Sequence, residues 1–124
     1  MKPMTKYAWL DEYCLSKIGV EKDYKAEWNA ERYMVRGKMF LMRGGDKNGK
    51  PIISVKLNPA FGRALRGEYP DIIPGYYMNK EHWSSLYLDG DVPDDMVKTM
   101  INESYRLIFQ SLNKKLQKEI IGVL

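Results

Sequence analysis

The residues best equipped for chemistry lie between Pro74 and Trp83, in the segment PGYYMNKEHW, which holds the one histidine of the chain. His82 stands between Lys80 and Trp83, with Asn79, Tyr76 and Tyr77 close by in sequence. Donors of this kind bind phosphate, and rings of this kind stack on bases. The same residues have a structural use. Trp83 can anchor a core while His82 and Asn79 satisfy backbone groups in an irregular loop. A third use, a small-molecule site at His82, requires a concave apolar pocket beside it.

The second chemical feature is charge. Nine Lys/Arg and one acid, Asp46, fall between Arg32 and Arg66, a local charge of +8. Five acids and no Lys or Arg fall between Glu81 and Asp95, a local charge of −5. The net charge of +4 therefore understates how strongly one part of the chain attracts anions. The competing reading is a solvated sheet face whose charges only keep the protein in solution.

Other chemistries find little support. Metal sites need clustered His, Cys and carboxylates, and His82 and Cys14 are far apart. Asp89, Asp91, Asp94 and Asp95 do not follow calcium-loop spacing, and Pro93 interrupts them. A turn followed by a helix N-terminus explains these acids. Gly44-Gly45 and Asn48-Gly49 belong to a hairpin loop rather than a phosphate loop. Cys14 lies on an apolar stripe with no basic residue placed to activate it, which fits a small buried hydrophobe. Neither a catalytic residue nor a cofactor is expected.

The elements that position these residues are readable from period and punctuation. The 124 residues, 44% apolar and 29% charged, suit one domain with its own core. The lone cysteine excludes an intrachain disulfide, and with no apolar run of membrane length the expectation is a cytoplasmic protein. Met4 to Ile18 reads as a first helix with Thr5 as cap and Gly19 as stop. Glu21 to Glu31 reads as a loop anchored by Trp28, with a short strand near Ala26–Trp28. Arg32–Arg36, Lys38–Arg43 and Pro51–Leu57 read as three strands. Tyr33, Val35, Ile53, Val55 and Leu57 share the buried parity, so Arg32, Arg36 and Lys56 are expected on a wet face. Asn58-Pro59 opens a short helix that stops at Gly67, with Arg63 and Arg66 on its outer side. Glu68–Tyr77 is expected to be mainly irregular and Ser84–Leu88 a strand. Pro93 opens the longest helix, whose stripe is Val97, Met100, Ile101, Ser104, Ile108 and Leu112. Ser104 is small enough there for close backbone approach. Lys114–Ile121 reads as a last short helix. This order predicts an α+β fold with helices packed on one face of a twisted antiparallel sheet. Trp83 and the stripe of the long helix are expected in the core.

Several stretches together resemble the MmcQ/YjbR family of small bacterial proteins. They are RGKMF (Arg36–Phe40), ISVKLNP (Ile53–Pro59), PGYYMNKEHW (Pro74–Trp83), YLDGDVPDD (Tyr87–Asp95) and ESY (Glu103–Tyr105), with EYCLSKIG (Glu12–Gly19) matching the first helix. The resemblance covers nearly the whole chain. It implies a CyaY/frataxin-like fold and a DNA-binding role with a double-wing arrangement of hairpins. The matching polar positions are Lys38, Lys56, Asn79, Lys80, His82 and Trp83. The first helix offers only Asp11 and Glu12, not the acidic ridge a frataxin needs, so specific ferrous iron binding is not expected.

The expectation is therefore a non-enzymatic nucleic-acid-binding domain. Its contacts are Arg32, Arg36, Lys38, Lys56, Arg63 and Arg66, together with Asn79, Lys80 and His82. The rival readings are a regulatory domain whose basic face docks an acidic protein, and a small-molecule binder at His82.

Overall fold

Pairing parity explains most of the architecture. In the computed structural model, which describes residues 6–122, six strands form one antiparallel sheet. They are β1 (Val20–Lys25), β2 (Ala30–Val35), β3 (Lys38–Gly45), β4 (Pro51–Lys56), β5 (Ile72–Pro74) and β6 (Trp83–Tyr87), in the order β1-β2-β3-β4-β6-β5. Tyr33 pairs with Leu41, Leu41 with Val55, and Ile53 with Leu86, so these residues share one face. All five are fully buried. Arg36 and Gly37, both at positive φ (49° and 81°), make the tight β2–β3 turn. Asp46 organises the β3–β4 hairpin by accepting from the amides of Asn48 and Lys50.

Four helices cover that face: α1 (Leu10–Leu15), α2 (Pro59–Glu68), α3 (Asp94–Ser111) and α4 (Lys114–Ile121). The stripe of α3, Val97, Met100, Ile101, Ser104 and Ile108, is buried against β3 and β4. Asp94 and Asp95 occupy its first turn, where the helix dipole favours them. The Asn58 side chain caps α2 by accepting from the Ala60 amide, with Pro59 following. Asn113 caps α4 by accepting from the Leu116 amide. Ile120 of α4 lies where a Cβ on Gly19 would stand only 3.0 Å away, and Gly19 has φ +80°. That position suits glycine on both counts.

Four expectations need correction. The first helix covers only Leu10–Leu15, and the expected start at Met4 and cap at Thr5 lie outside the described residues. Tyr7 sits at φ 60° with its ring buried and its hydroxyl donating to the Val92 carbonyl, and this tertiary contact takes precedence over helix. The polar stretch expected as a loop forms the edge strand β1, followed by a short 3₁₀ turn at Ala26–Trp28. Its residues are mostly exposed, so alternation of apolar and polar side chains gave no signal; charged edges of this kind discourage intermolecular pairing. Ile72–Pro74, within the stretch read as irregular, is a three-residue edge strand. Finally, the helix-free face is not wet throughout. Ile52, Ser54, Met42 and Ser85 are buried there, under the loop that joins β5 to β6.

Trp83 is also displaced from its expected role. It is half-buried, and its parity with Ser85 and Lys56 puts it on the helix-free face rather than in the main core.

Candidate nucleic-acid interface

The β5–β6 loop is held across the helix-free face from both ends. The Tyr76 amide donates to the Ser85 hydroxyl at 2.9 Å, and the Ser85 hydroxyl lies 2.6 Å from that of Ser54. At its far end the Tyr76 hydroxyl accepts from the Lys47 amide at 3.1 Å. Tyr76 therefore ties β6 to the β3–β4 hairpin. Its neighbour Tyr77 sits at φ 67°, an uncommon conformation for a bulky residue, with its ring edge-on to that of Tyr76 at 4.4 Å. The Tyr77 ring projects into solvent, 69% exposed.

Between this loop and the 3₁₀ turn after β1 lies an open cleft of about 830 Å³. Trp28, 51% exposed, and Asn29 line one side; Tyr77 and Met78 line another. Ala30 and Met42 contribute apolar surface from the strands. Gly44 and Gly45 also line it, and the first of them has little room for a side chain. A Cβ on Gly44 would lie 3.1 Å from that of Ala30, and one on Gly45 would lie 3.4 Å from the Gly49 backbone. Lys47 also borders the cleft, and no carboxylate pairs with its ammonium among the described residues.

Charge on this face is arranged in pairs and gaps. The Arg32 guanidinium makes two hydrogen bonds to the Asp23 carboxylate, at 2.9 and 2.6 Å, and lies 5.8 Å from the Trp28 ring. The same hydrogen bonds hold the Asp23 carboxyl below its usual range. The Lys25 ammonium is 5.2 Å from the Trp28 ring. Lys50 lies 4.9 Å from the Tyr87 ring and 3.7 Å from Asp89. The amide of Lys50 above all, then that of Asn48 and the Tyr87 hydroxyl, lower the Asp46 carboxyl. Asp46 is thereby kept ionised as the hub of the hairpin.

The nine residues expected at the interface do not share one surface. Arg32 and Lys56 have the parity of the helix-free face. Arg36 lies in the β2–β3 turn and pairs with Glu119 of α4 at 3.0 Å. Lys38, at the same end, donates to the Ser111 hydroxyl at 3.4 Å. Arg63 and Arg66 belong to α2, on the helical layer, where Arg66 donates to the Ser84 hydroxyl at 2.9 Å. Asn79 caps its own loop by accepting from the amides of Glu81 and His82. Lys80 donates to the Gly75 carbonyl at 2.7 Å. His82 is exposed, and the cleft is lined by Tyr77 and Met78 rather than by it. Of the first helix's acids, Asp11 accepts from Lys22 and Tyr33, and these bonds lower its carboxyl, Lys22 foremost. Burial pushes the Cys14 thiol up to about 12, consistent with an inert core residue.

Trp28 and Lys47 are absent from the set read out of the sequence. Trp28 carries a signal, a large ring in an otherwise polar run, which reads as the anchor of a loop, whereas the structure leaves it exposed. Lys47 gave none, because only the fold brings the hairpin loop next to Tyr76.

Gly75 sets the position of this loop. A Cβ there would lie 2.7 Å from the Trp83 Cβ and 2.9 Å from the Trp83 carbonyl oxygen, which accepts from the Gly75 amide at 2.8 Å. Relief would require backbone movement, so Gly75→Ala is expected to cost about 1–3 kcal/mol. Urea denaturation reads this directly; an unchanged midpoint would mean the loop shifts freely.

Comparison with known proteins gives one consistent answer. The YjbR family model matches residues 15–107. The chain is 31% identical over 110 residues to the uncharacterised protein YjbR of Escherichia coli K12, covering 89% of this chain and 92% of that one. It is 38% identical over 66 residues to the uncharacterised protein YyaQ of Bacillus subtilis, about half of each chain (52% and 54%). A crystal structure of a Deinococcus radiodurans protein is similar at a TM-score of 0.84 and 25% identity, over 98% of this chain and 92% of that one. A Pseudomonas syringae protein shares the fold at a TM-score of 0.72 and 21% identity, over 82% and 97%.

Proposed function

We propose, from the premise that the chain belongs to the YjbR family, that it is a non-enzymatic nucleic-acid-binding domain working through its helix-free face. One observation carries this reading: the exposed rings of Trp28 and Tyr77 line one cleft with Lys47, whose ammonium has no carboxylate partner among the described residues, and Lys56 has the parity of the same face at the far end of β4. Phosphates are attracted to such cations, and bases to such rings. Arg32 and Lys25 flank Trp28 at the rim, where Asp23 offsets part of the Arg32 charge and Glu27, 4.0 Å from the Lys25 ammonium, part of the Lys25 charge. Asn79 holds the loop by accepting from the Glu81 and His82 amides, and His82 lies outside the cleft lining.

The reading is tested by binding to a random-sequence duplex and to a single strand at two salt concentrations. Parent protein should bind both, more weakly as salt rises. Each phosphate contact removed lowers the log–log salt slope by about 0.9 on duplex and about 0.7 on single strand. Lys47→Glu with Lys56→Glu should therefore weaken binding and flatten the slope, similarly on unrelated sequences. Lys115→Glu, exposed on α4, should change little. Equal losses from both sets, or no binding near physiological salt, would overturn the proposal. The docking of an acidic protein on the same cations would then lead.

A further inference from the structure

We infer that the cleft between Trp28 and Tyr77 receives an unpaired nucleobase, so that the domain prefers single-stranded over fully paired nucleic acid. The inference rests on the nucleic-acid reading above and names the part of the ligand that the cleft takes. The shared chemistry is a planar aromatic heterocycle carrying a phosphate, which a single strand and a free mononucleotide both supply.

Size and lining agree with such a guest. A volume of about 830 Å³ lies within the range of small-ligand pockets, roughly 300–1,000 Å³. Ala30, Met42 and Met78 offer apolar contact. The Asn29 carboxamide oxygen accepts from the Tyr24 hydroxyl, which leaves the amide NH₂ free to donate to a base edge. Glu27 and Asp46 also line the cleft, with Asp46 engaged by the Asn48 and Lys50 amides, so Lys47 is the cation of the lining and would take the attached phosphate at the rim.

The two rings are presented in ways that folding alone does not require. An exposed Trp contributes little to a core, and Trp28 sits on a 3₁₀ turn followed by Asn29 at φ 50°. Tyr77 keeps a left-handed backbone, an uncommon and strained conformation for a bulky side chain. Its neighbour's bonds to Ser85 and Lys47 hold that geometry. Strain retained next to a cleft, with an aromatic ring projecting into it, is the arrangement expected of a stacking platform. A duplex would leave these rings idle, because stacking encloses base faces and exposes only edges.

The test measures affinity for a 12-nucleotide single strand without self-complementarity, for the blunt duplex of that strand with its complement, and for adenosine monophosphate. Strand anisotropy reports oligonucleotide binding, titration calorimetry reports adenosine monophosphate binding, and thermal melting checks each variant's fold. The single strand should bind at least about tenfold more tightly than the duplex. Trp28→Ala and Tyr77→Ala should each weaken single-strand binding about tenfold, within the range for lost base stacking, and weaken duplex binding by a clearly smaller factor. Tyr77→Phe, which keeps the ring, should retain affinity. Equal affinity for both strands, insensitive to the ring variants yet weakened by Lys47→Glu with Lys56→Glu, would overturn the base site and leave the phosphate reading standing. Binding of the mononucleotide alone, lost in Trp28→Ala, would keep the base site and overturn the nucleic-acid reading. Binding of none of the three would overturn both.

Discussion

Phe40→Ala is expected to destabilise the protein by about 3–5 kcal/mol, the largest single loss anticipated in this chain. Phe40 is fully buried and packs edge-on against Tyr105 at 5.4 Å. It stands at the β-bulge where Tyr33 pairs with Leu41 but Met34 pairs with Met39, so it has no partner on β2 and turns inward beside Leu41. Truncation leaves a cavity under α3 that the two-sided packing of the sheet cannot close. Trp83→Ala is the informative comparison. That side chain is larger but half-buried and outside the main core, so its loss should cost only about 1–2 kcal/mol. Urea midpoints at constant m value measure both. A Trp83 variant as unstable as the Phe40 variant would show that the helix-free face carries a second core of comparable weight.

How much of this was legible in the sequence depended on how each element is stabilised. Elements held by their own pattern were legible. The α3 stripe, the Asn58 cap and the inward parity of Tyr33, Val35, Ile53 and Val55 follow from local spacing and capping chemistry. Elements held by distant partners were not. β1 is polar along most of its length and becomes a strand because β2 offers it an edge. Ile72–Pro74 is too short to show alternation and is a strand only beside β6. The Tyr7 conformation depends on Val92, far along the chain.

The candidate site divides along the same line. Parity puts Arg32, Arg36 and Lys56 on one wet face, which the β2–β3 turn breaks at Arg36, and charge counting along the chain treats Arg63 and Arg66 as their neighbours. Folding sends Arg36 to Glu119, leaves Arg63 exposed on α2 and turns Arg66 toward Ser84. It also brings Asp23 and Asp89, remote in sequence, to Arg32 and Lys50. A segment charge of +8 therefore overstates the field of any one surface. The aromatic pair at the cleft was half visible. Tyr77 stood out in the PGYYMNKEHW segment, while Trp28 needed the 3₁₀ turn to expose it.

Ser104→Ala should cost about 2–4 kcal/mol, although it removes a single oxygen and improves helix propensity. The β3–β4 ladder ends at the Leu41–Val55 pair, and Phe40 and Lys56 would form the next step. The Ser104 hydroxyl enters that step from α3. It donates to the Phe40 carbonyl and accepts from the Lys56 amide at 2.8 Å. One side chain thus satisfies two backbone groups that the bulge would otherwise strand, and it fixes α3 over the two central strands. A small residue mid-stripe suggested close approach of backbones; the hydroxyl adds a bond to each strand that spacing alone could not reveal. Alanine keeps the close approach but leaves a buried carbonyl and a partly buried amide without partners, each at about 1–3 kcal/mol. Thr99→Ala, which removes an exposed hydroxyl bonded within the same helix, should stay within about 0.5 kcal/mol of the parent. Hydrogen exchange separates the mechanism from a general loss of helix packing. The Lys56 amide should lose protection in Ser104→Ala by more than the global change in stability, whereas amides in the β1–β2 pair should follow the global change. Uniform loss across the sheet would assign the effect to packing and remove the bridging role from Ser104.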